Sequence, residues 1–237
     1  MNWYLQSSED CDVVKSSRIR LARNLNGFKF NLENKSEIEQ LENKIKDNLY
    51  SIGYGLKYLK LKDMDDITKM SLVEKNLISP EFALNKSETG SILINDEENI
   101  CIMINDEDHI KLQVFCSGLD LENLKNLIVE IDEKLGELVT YSYSKQFGFL
   151  TVSPTNVGTG MKASVMVHLP ALTYTGNISK VLHIVNNFGM NVRGIYGDAV
   201  QSQGDIYQIS NNQTLGLTED EIIKNITTIV DKVIEQE

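Results

Sequence analysis

Residues 100–116 leave little conformational choice. An apolar run, Ile100-Cys101-Ile102-Met103-Ile104, stops at Asn105-Asp106-Glu107-Asp108, and a strictly alternating run follows. Ile110, Leu112, Val114 and Cys116 share one parity, and His109, Lys111, Gln113 and Phe115 share the other. That is the period of a half-buried strand. Two strands joined by an acidic turn are the expectation. If extended backbone reaches back through the turn, Glu107, His109 and Lys111 line one wall at intervals of roughly 6–7 Å. His109 then either approaches a ligand at that wall or holds the turn.

Similar patterns recur along the chain. The run Ser91-Ile92-Leu93-Ile94, joined to residues 100–104 by a polar pentapeptide, makes a hairpin. Residues 13–25 contain Arg18 and Arg20 at one parity, so an extended segment sets both guanidinium groups on one face. Short strands are expected near 58–61, 147–152, 191–197 and 205–210. Residues 162–169 alternate as a strand does, with helix as the alternative. Helices are expected at 36–52, opened by a Ser36/Glu39 capping box, and at 63–77, 120–138 and 178–188. Another is expected at 218–235, where Thr218 and Glu221 make a second capping box. Antiparallel-looking strand groups separated by amphipathic helices give an α+β fold. The expected form is one curved, mainly antiparallel sheet with helices packed on one face. Residues 1–12 read as an N-terminal arm and 13–237 as the folded domain.

Charge narrows the function. With 23 Lys+Arg against 34 Asp+Glu, the net charge is −11, which argues against a nucleic-acid partner. An anionic ligand then requires basic residues to converge locally. Cys11, Cys101 and Cys116 are odd in number and lack metal-like spacing. They read as reduced thiols of a cytoplasmic protein. The N-terminus has no signal-peptide pattern, and no stretch approaches a membrane span of about 20 apolar residues.

Four segments in series carry more specific information. They are Ser16-Ser17-Arg18-Ile19-Arg20-Leu21-Ala22-Arg23-Asn24, then Asn105-Asp106-Glu107-Asp108-His109-Ile110-Lys111, then the run from Ser153-Pro154-Thr155-Asn156 to Met166, then Val192-Arg193-Gly194-Ile195-Tyr196-Gly197. In this order and spacing they resemble the phosphagen (guanidino) kinase family, in its bacterial protein-arginine kinase branch. The resemblance implies transfer of the ATP γ-phosphoryl group to a guanidinium nitrogen of arginine in a protein, with Mg²⁺ carried by the nucleotide and no protein metal site. It places Ser16, Ser17, Arg18, Ile19 and Arg20 on the nucleotide, with both arginines on phosphate. Lys111 joins them on phosphate. Lys162, Ala163, Ser164, Val165 and Met166 run along the nucleotide. Arg193, Gly194, Ile195, Tyr196 and Gly197 complete the site, Arg193 on phosphate. Glu107 and Asp198 become the two substrate carboxylates. Asn76 stands where the family has a nucleotide-stacking histidine.

The residue types suit that chemistry. A guanidinium stays protonated at neutral pH and is a poor nucleophile until a proton leaves. One carboxylate can orient it and another can take the proton. Transfer then needs in-line placement and neutralised phosphate oxygens. Five cations (Arg18, Arg20, Lys111, Lys162 and Arg193) answer that need inside an acidic protein. Five positions depart from the family pattern: Asn76, Lys111 and Lys162 for arginines or histidine, Ser153 for cysteine, and Asp198 for glutamate. They motivate a second reading, a nucleotide-binding regulator of a protein-arginine kinase or protease system. Family members continue into a helical C-terminal region that has no counterpart here, so the resemblance implies a short form or an isolated catalytic domain. An activator or protease-system protein is an expected partner.

Overall fold

The computed structural model describes residues 2–6, 12–194 and 202–237. In chain order its elements are β1 (Val14–Arg23), α1 (Lys35–Ser51), β2 (Lys57–Lys60), α2 (Asp66–Glu74), α3 (Pro80–Asn85), β3 (Ser91–Ile94), β4 (Ile100–Ile104), β5 (Ile110–Ser117) and α4 (Leu121–Gly136). There follow β6 (Tyr143–Ser144), β7 (Gly148–Phe149), β8 (Met161–His168), α5 (Pro170–Tyr174), α6 (Ile178–Asn187), β9 (Met190–Gly194), β10 (Ile206–Asn211) and α7 (Glu219–Ile234). Eight strands form one sheet in the order β2-β3-β4-β5-β1-β8-β10-β9. Every neighbouring pair is antiparallel. The α+β expectation therefore holds, and the alternating run at 162–169 forms strand up to His168.

Strand alternation divides the side chains between two faces. Ile19 and Leu21 of β1, Leu112 and Val114 of β5, and Ala163 and Val165 of β8 join one core with the apolar stripes of α1, α4, α6 and α7. That core is the helix-covered face expected from the sequence. A smaller core lies on the opposite face. There Ile92, Cys101, Met103 and Phe115 meet Leu72 of α2, Phe82 of α3 and Trp3 of the N-terminal arm. Among the described residues these pieces pack mainly on the β3–β5 end. The opposite face of β1, β8, β10 and β9 carries Arg18, Arg20, Lys162, Ser164, Gln208 and Arg193.

Element ends show which local signals prevailed. The α7 capping box forms as read, Thr218 bonding the Glu221 N–H and Glu221 returning to Thr218. For α1 the cap is Asn34, whose side chain accepts from the Ser36 N–H, so Ser36 sits inside the helix. Residues 147–152 depart from the strand expectation. Gly148–Phe149 pairs with Tyr143–Ser144, and Phe149 also bridges Gly158. Beyond it the Val152 N–H donates to a side chain, Oδ1 of Asp108 at 2.8 Å, and the Leu150 carbonyl accepts from Asn24. Those backbone groups have no ladder to join.

Candidate active site

The antiparallel register sets the basic residues side by side. Arg20 lies opposite Lys162 on β8 and Gln113 on β5, while Arg18 lies opposite Ser164 and Phe115. Gln208 of β10 lies between Arg193 on β9 and Met166 on β8. A cleft of about 360 Å³ runs over this face, lined by Arg18, Arg20, Lys111, Arg193, Gly194 and Gln208 below and by Val73, Asn76, Ile78 and Pro80 at the α2–α3 rim. A second cavity of about 190 Å³ holds Glu107, Ser153, Thr155, Asn156 and Lys162, and it too is lined by Arg20 and Lys111. The two cations form a common wall between a cationic cleft and a pocket that carries an exposed carboxylate.

The cations are poorly compensated. Arg18 donates to the Ser164 hydroxyl at 3.3 Å and to the Gln208 side-chain oxygen Oε1 at 3.2 Å, both neutral. Among the described residues Arg18, Arg20, Lys162 and Arg193 form no ion pair, whereas Lys111 pairs with Asp106. Burial, then the Arg20 charge, draws the Arg18 guanidinium well below its usual range. Burial also lowers Arg20, with Asp106 opposing and Arg193 reinforcing the shift. Lys162 falls to about 8, through burial first and then repulsion from Arg20, Arg193 and Arg18. Such a cluster stores unfavourable charge that a polyanion relieves.

Lys162 makes this measurable. Phosphate oxygens placed beside it would raise its pKa, so a phosphate-bearing ligand bound there above pH 8 would take up a proton. Affinity for such a ligand is therefore expected to fall as pH rises through about 8, by up to about tenfold per pH unit. Calorimetry at pH 8.5 in buffers of different ionisation enthalpy should show net proton uptake, absent in Lys162→Met. Uptake equal in both proteins would refute this role for Lys162.

The acidic turn is built differently from an extended wall. Asn105 adopts φ 61°, and its N–H closes on the His109 carbonyl at 3.0 Å. The turn leaves Glu107 exposed, swings His109 inward and returns Lys111 to the cleft. His109 is buried, its Nδ1 accepting from the Leu25 N–H at 3.0 Å and its Nε2 meeting the Lys29 carbonyl at 2.8 Å. With Nδ1 as acceptor the ring is neutral, and burial lowers its pKa. Of the two roles open to His109, it holds the turn. The wall keeps Glu107 and Lys111 and loses the imidazole.

Behind this turn lies a buried network that sequence reading missed. Asn24 Nδ2 donates to Asp108 Oδ1 at 2.7 Å, and Asn24 Oδ1 accepts the His109 N–H at 2.9 Å. The same Asp108 oxygen accepts the Val152 N–H, adjacent to Ser153 of the second cavity. Asn24 closed the first motif and Asp108 sat in the acidic cluster, but neither had a signal separating it from its neighbours. Asp106, Gln113 and Gln208 were also missed. Gly160 at φ 66° matters here too: a Cβ would lie 2.7 Å from the Ala22 carbonyl and from Arg23 Nη1. The loop can approach β1 this closely only without a side chain.

The structure does not bring every expected residue to the cleft. Ser17, Ile19, Ala163 and Val165 are buried with their side chains on the helix-covered side, because alternation points them away from Arg18, Arg20, Lys162 and Ser164. Ser17 donates instead to the Gly118 carbonyl at 2.8 Å. Strand geometry alone keeps these four side chains out of the cleft lining. Ser16, Ser164 and Met166 reach a narrow inner extension of the cleft, and Asn76 stands at its rim. Ile195, Tyr196, Gly197 and Asp198 lie outside the described residues.

A basic phosphate-type cleft joined to a carboxylate pocket on an open antiparallel sheet agrees with the comparisons. The family model for the ATP:guanido phosphotransferase C-terminal catalytic domain matches residues 37–237, and the chain belongs to this family of ATP:guanidino phosphotransferases. Within it, the chain is 44% identical over 247 residues to a protein-arginine kinase of Halothermothrix orenii, covering 100% of this chain and 68% of that protein. The protein-arginine kinase of Staphylococcus haemolyticus is also 44% identical, over 244 residues, with 99% and 69% covered. Among solved structures, the substrate-free duplicated taurocyamine kinase of Schistosoma mansoni superposes with a TM-score of 0.82 at 27% identity, over 99% of this chain and 35% of that one. Lombricine kinase, at TM-score 0.79 and 24% identity over 96% of this chain and 66% of that one, shares the fold. Among the described residues no helix is long and apolar enough to cross a membrane.

Proposed function

We propose that this chain transfers the γ-phosphoryl group of ATP, with Mg²⁺ carried by the nucleotide, to the guanidinium of arginine residues in proteins. The observation that carries this reading is the wall shared by the two cavities. Arg20 and Lys111 border both the cationic cleft and the Glu107 pocket. A γ-phosphoryl group at that wall has its oxygens against cations and faces a guanidinium held by Glu107. The γ-phosphorus then passes in line from the β–γ bridging oxygen to a guanidinium nitrogen. One N–P bond forms, one O–P bond breaks, ADP leaves, and the displaced proton goes to a carboxylate. Glu107 is one such carboxylate, and Asp198 is assigned as the second on the motif resemblance. Lysines at 111 and 162 keep positive charge at the phosphates with fewer fixed donors than arginine.

The test is acid-labile phosphate on arginine of a protein substrate supplied with MgATP. Glu107→Ala is expected to lower its formation by at least about 10³-fold, since orientation and proton acceptance are both lost. ATP binding without phosphoarginine at any enzyme concentration would defeat this function and favour the nucleotide-binding regulator. Equal rates on free arginine and on protein arginine would remove the protein from the substrate assignment.

A further inference from the structure

The N-terminal arm contributes a residue that none of the motifs contains. Trp3 opens a short 3-10 turn, Trp3–Leu5, and its side chain is 8% exposed. Its ring stacks on Phe115 of β5, with centroids 5.4 Å apart and planes 15° from parallel. Its backbone N–H donates to the Glu97 carbonyl at 3.2 Å. Next to it, Asn2 donates to Glu98 at 3.0 Å, and Glu98 also receives Lys75, the neighbour of Asn76. The arm is thus tied to the cleft rim by several independent contacts.

Trp3 borders a water-sized extension of the cleft, about 20 Å³, together with Ser16, Arg18, Asn76, Met166 and Gln208. Arg18, Asn76 and Gln208 also line the main cleft. The indole Nε1–H is buried and has no hydrogen-bond partner among the described residues. A buried donor without an acceptor is costly, and native structures rarely leave one so. The position along the site is informative. Arg20 marks the phosphate wall, and Ser16 lies four residues back along β1, about 13 Å away. That separation is comparable to the span from the terminal phosphate to the base of a nucleoside triphosphate. Asn76, at the same end, offers an amide and no aromatic face.

We propose that Trp3 is a nucleotide-binding residue whose indole N–H donates to an acceptor atom of the nucleobase, directly or through one water, at the inner end of the cleft. The inference rests on the cleft being the ATP site. Trp3 thereby makes the arm part of the binding site, and it favours a ligand with a base over a bare polyphosphate.

Trp3 is the only tryptophan in the chain, so its fluorescence reports on this end alone. The full chain is titrated with ATP and, separately, with inorganic tripolyphosphate, each affinity being measured by calorimetry. ATP is expected to change the tryptophan emission; tripolyphosphate is expected to bind the same cations and leave the emission unchanged. Trp3→Phe keeps the stack on Phe115 and removes the N–H. It is expected to weaken ATP binding about three- to tenfold and tripolyphosphate binding not at all. Equal ATP affinity in both proteins, or equal weakening of both ligands, would overturn the proposal. So would an emission change with tripolyphosphate as large as with ATP, a result that needs no variant. Failure of the parent to bind either ligand would instead overturn the ATP assignment of the cleft and this inference with it.

Discussion

Arg20→Met is expected to cost phosphoryl transfer about 10³-fold or more in kcat/KM while leaving the fold at least as stable as the parent. Both effects have one cause. Arg20 stands at the wall shared by the two cavities, opposite Lys162 and under the repulsion of Arg193, with Asp106 as its counter-charge. In the proposed reaction that charge meets the phosphoryl oxygens, and methionine cannot replace it. In the free protein it is one of several like charges held together by neighbouring strands. Removing it relieves repulsion, and the thermal midpoint should stay equal or rise by a few degrees, on the order of 1 kcal/mol. Low salt should widen the gain, since screening weakens the repulsion being relieved. Thermal melts at two ionic strengths beside steady-state kinetics decide it. A variant that loses activity and also melts well below the parent would show that Arg20 serves the fold.

Asp108→Ala should separate nucleotide binding from turnover. The kcat is expected to drop by about 10²-fold, while tripolyphosphate affinity stays within about twofold. Among the described residues Asp108 bonds Asn24 and Val152 and forms no ion pair with a cleft cation. It ties the turn carrying Glu107 to Val152, beside Ser153, and it holds Asn24, which in turn holds the His109 N–H. Cutting these bonds frees two walls of the proposed guanidinium pocket from one another, and small misplacements of a reacting group are expensive. Stability should fall by about 3 kcal/mol, because Asn24 Nδ2 and the Val152 N–H lose a buried charged acceptor. Asp108→Asn keeps an oxygen for both donors and should lose less than tenfold in kcat. Rates are to be expressed per nucleotide-binding site, so that unfolded protein does not count as slow enzyme. Rates within threefold of the parent in Asp108→Ala would exclude a positioning role.

The strands and the long helices were legible because burial acts through period. Ile110, Leu112 and Val114, or Ile222, Ile226 and Ile229, repeat at the spacing that places them on one face, whatever surrounds them. The same period carried Arg18 and Arg20 to a common side. Misreadings came where backbone groups found side-chain partners. Asn34 outcompeted Ser36 as a cap, and Asp108 drew the Val152 N–H away from any ladder. The motifs run through Ser17, Ile19, Ala163 and Val165, whose side chains alternation sends to the helix-covered face.

The sequence by itself determined the antiparallel α+β framework, the family resemblance, and the residue types able to neutralise phosphate and hold a guanidinium. These follow from local period and from linear order. Only the tertiary structure decided which residues meet. Registers between strands far apart in sequence put Lys162 opposite Arg20 and Gln208 beside Arg193. The sharp turn at Asn105 parted His109 from Glu107 and buried it against Leu25. Among the described residues the helices α2 and α3 pack on the β3–β5 end beside the cationic face of β1, β8, β10 and β9, and the arm brought Trp3 to its inner end. Such pairings depend on long-range packing and on where buried donors find acceptors, and neither has a period along the chain.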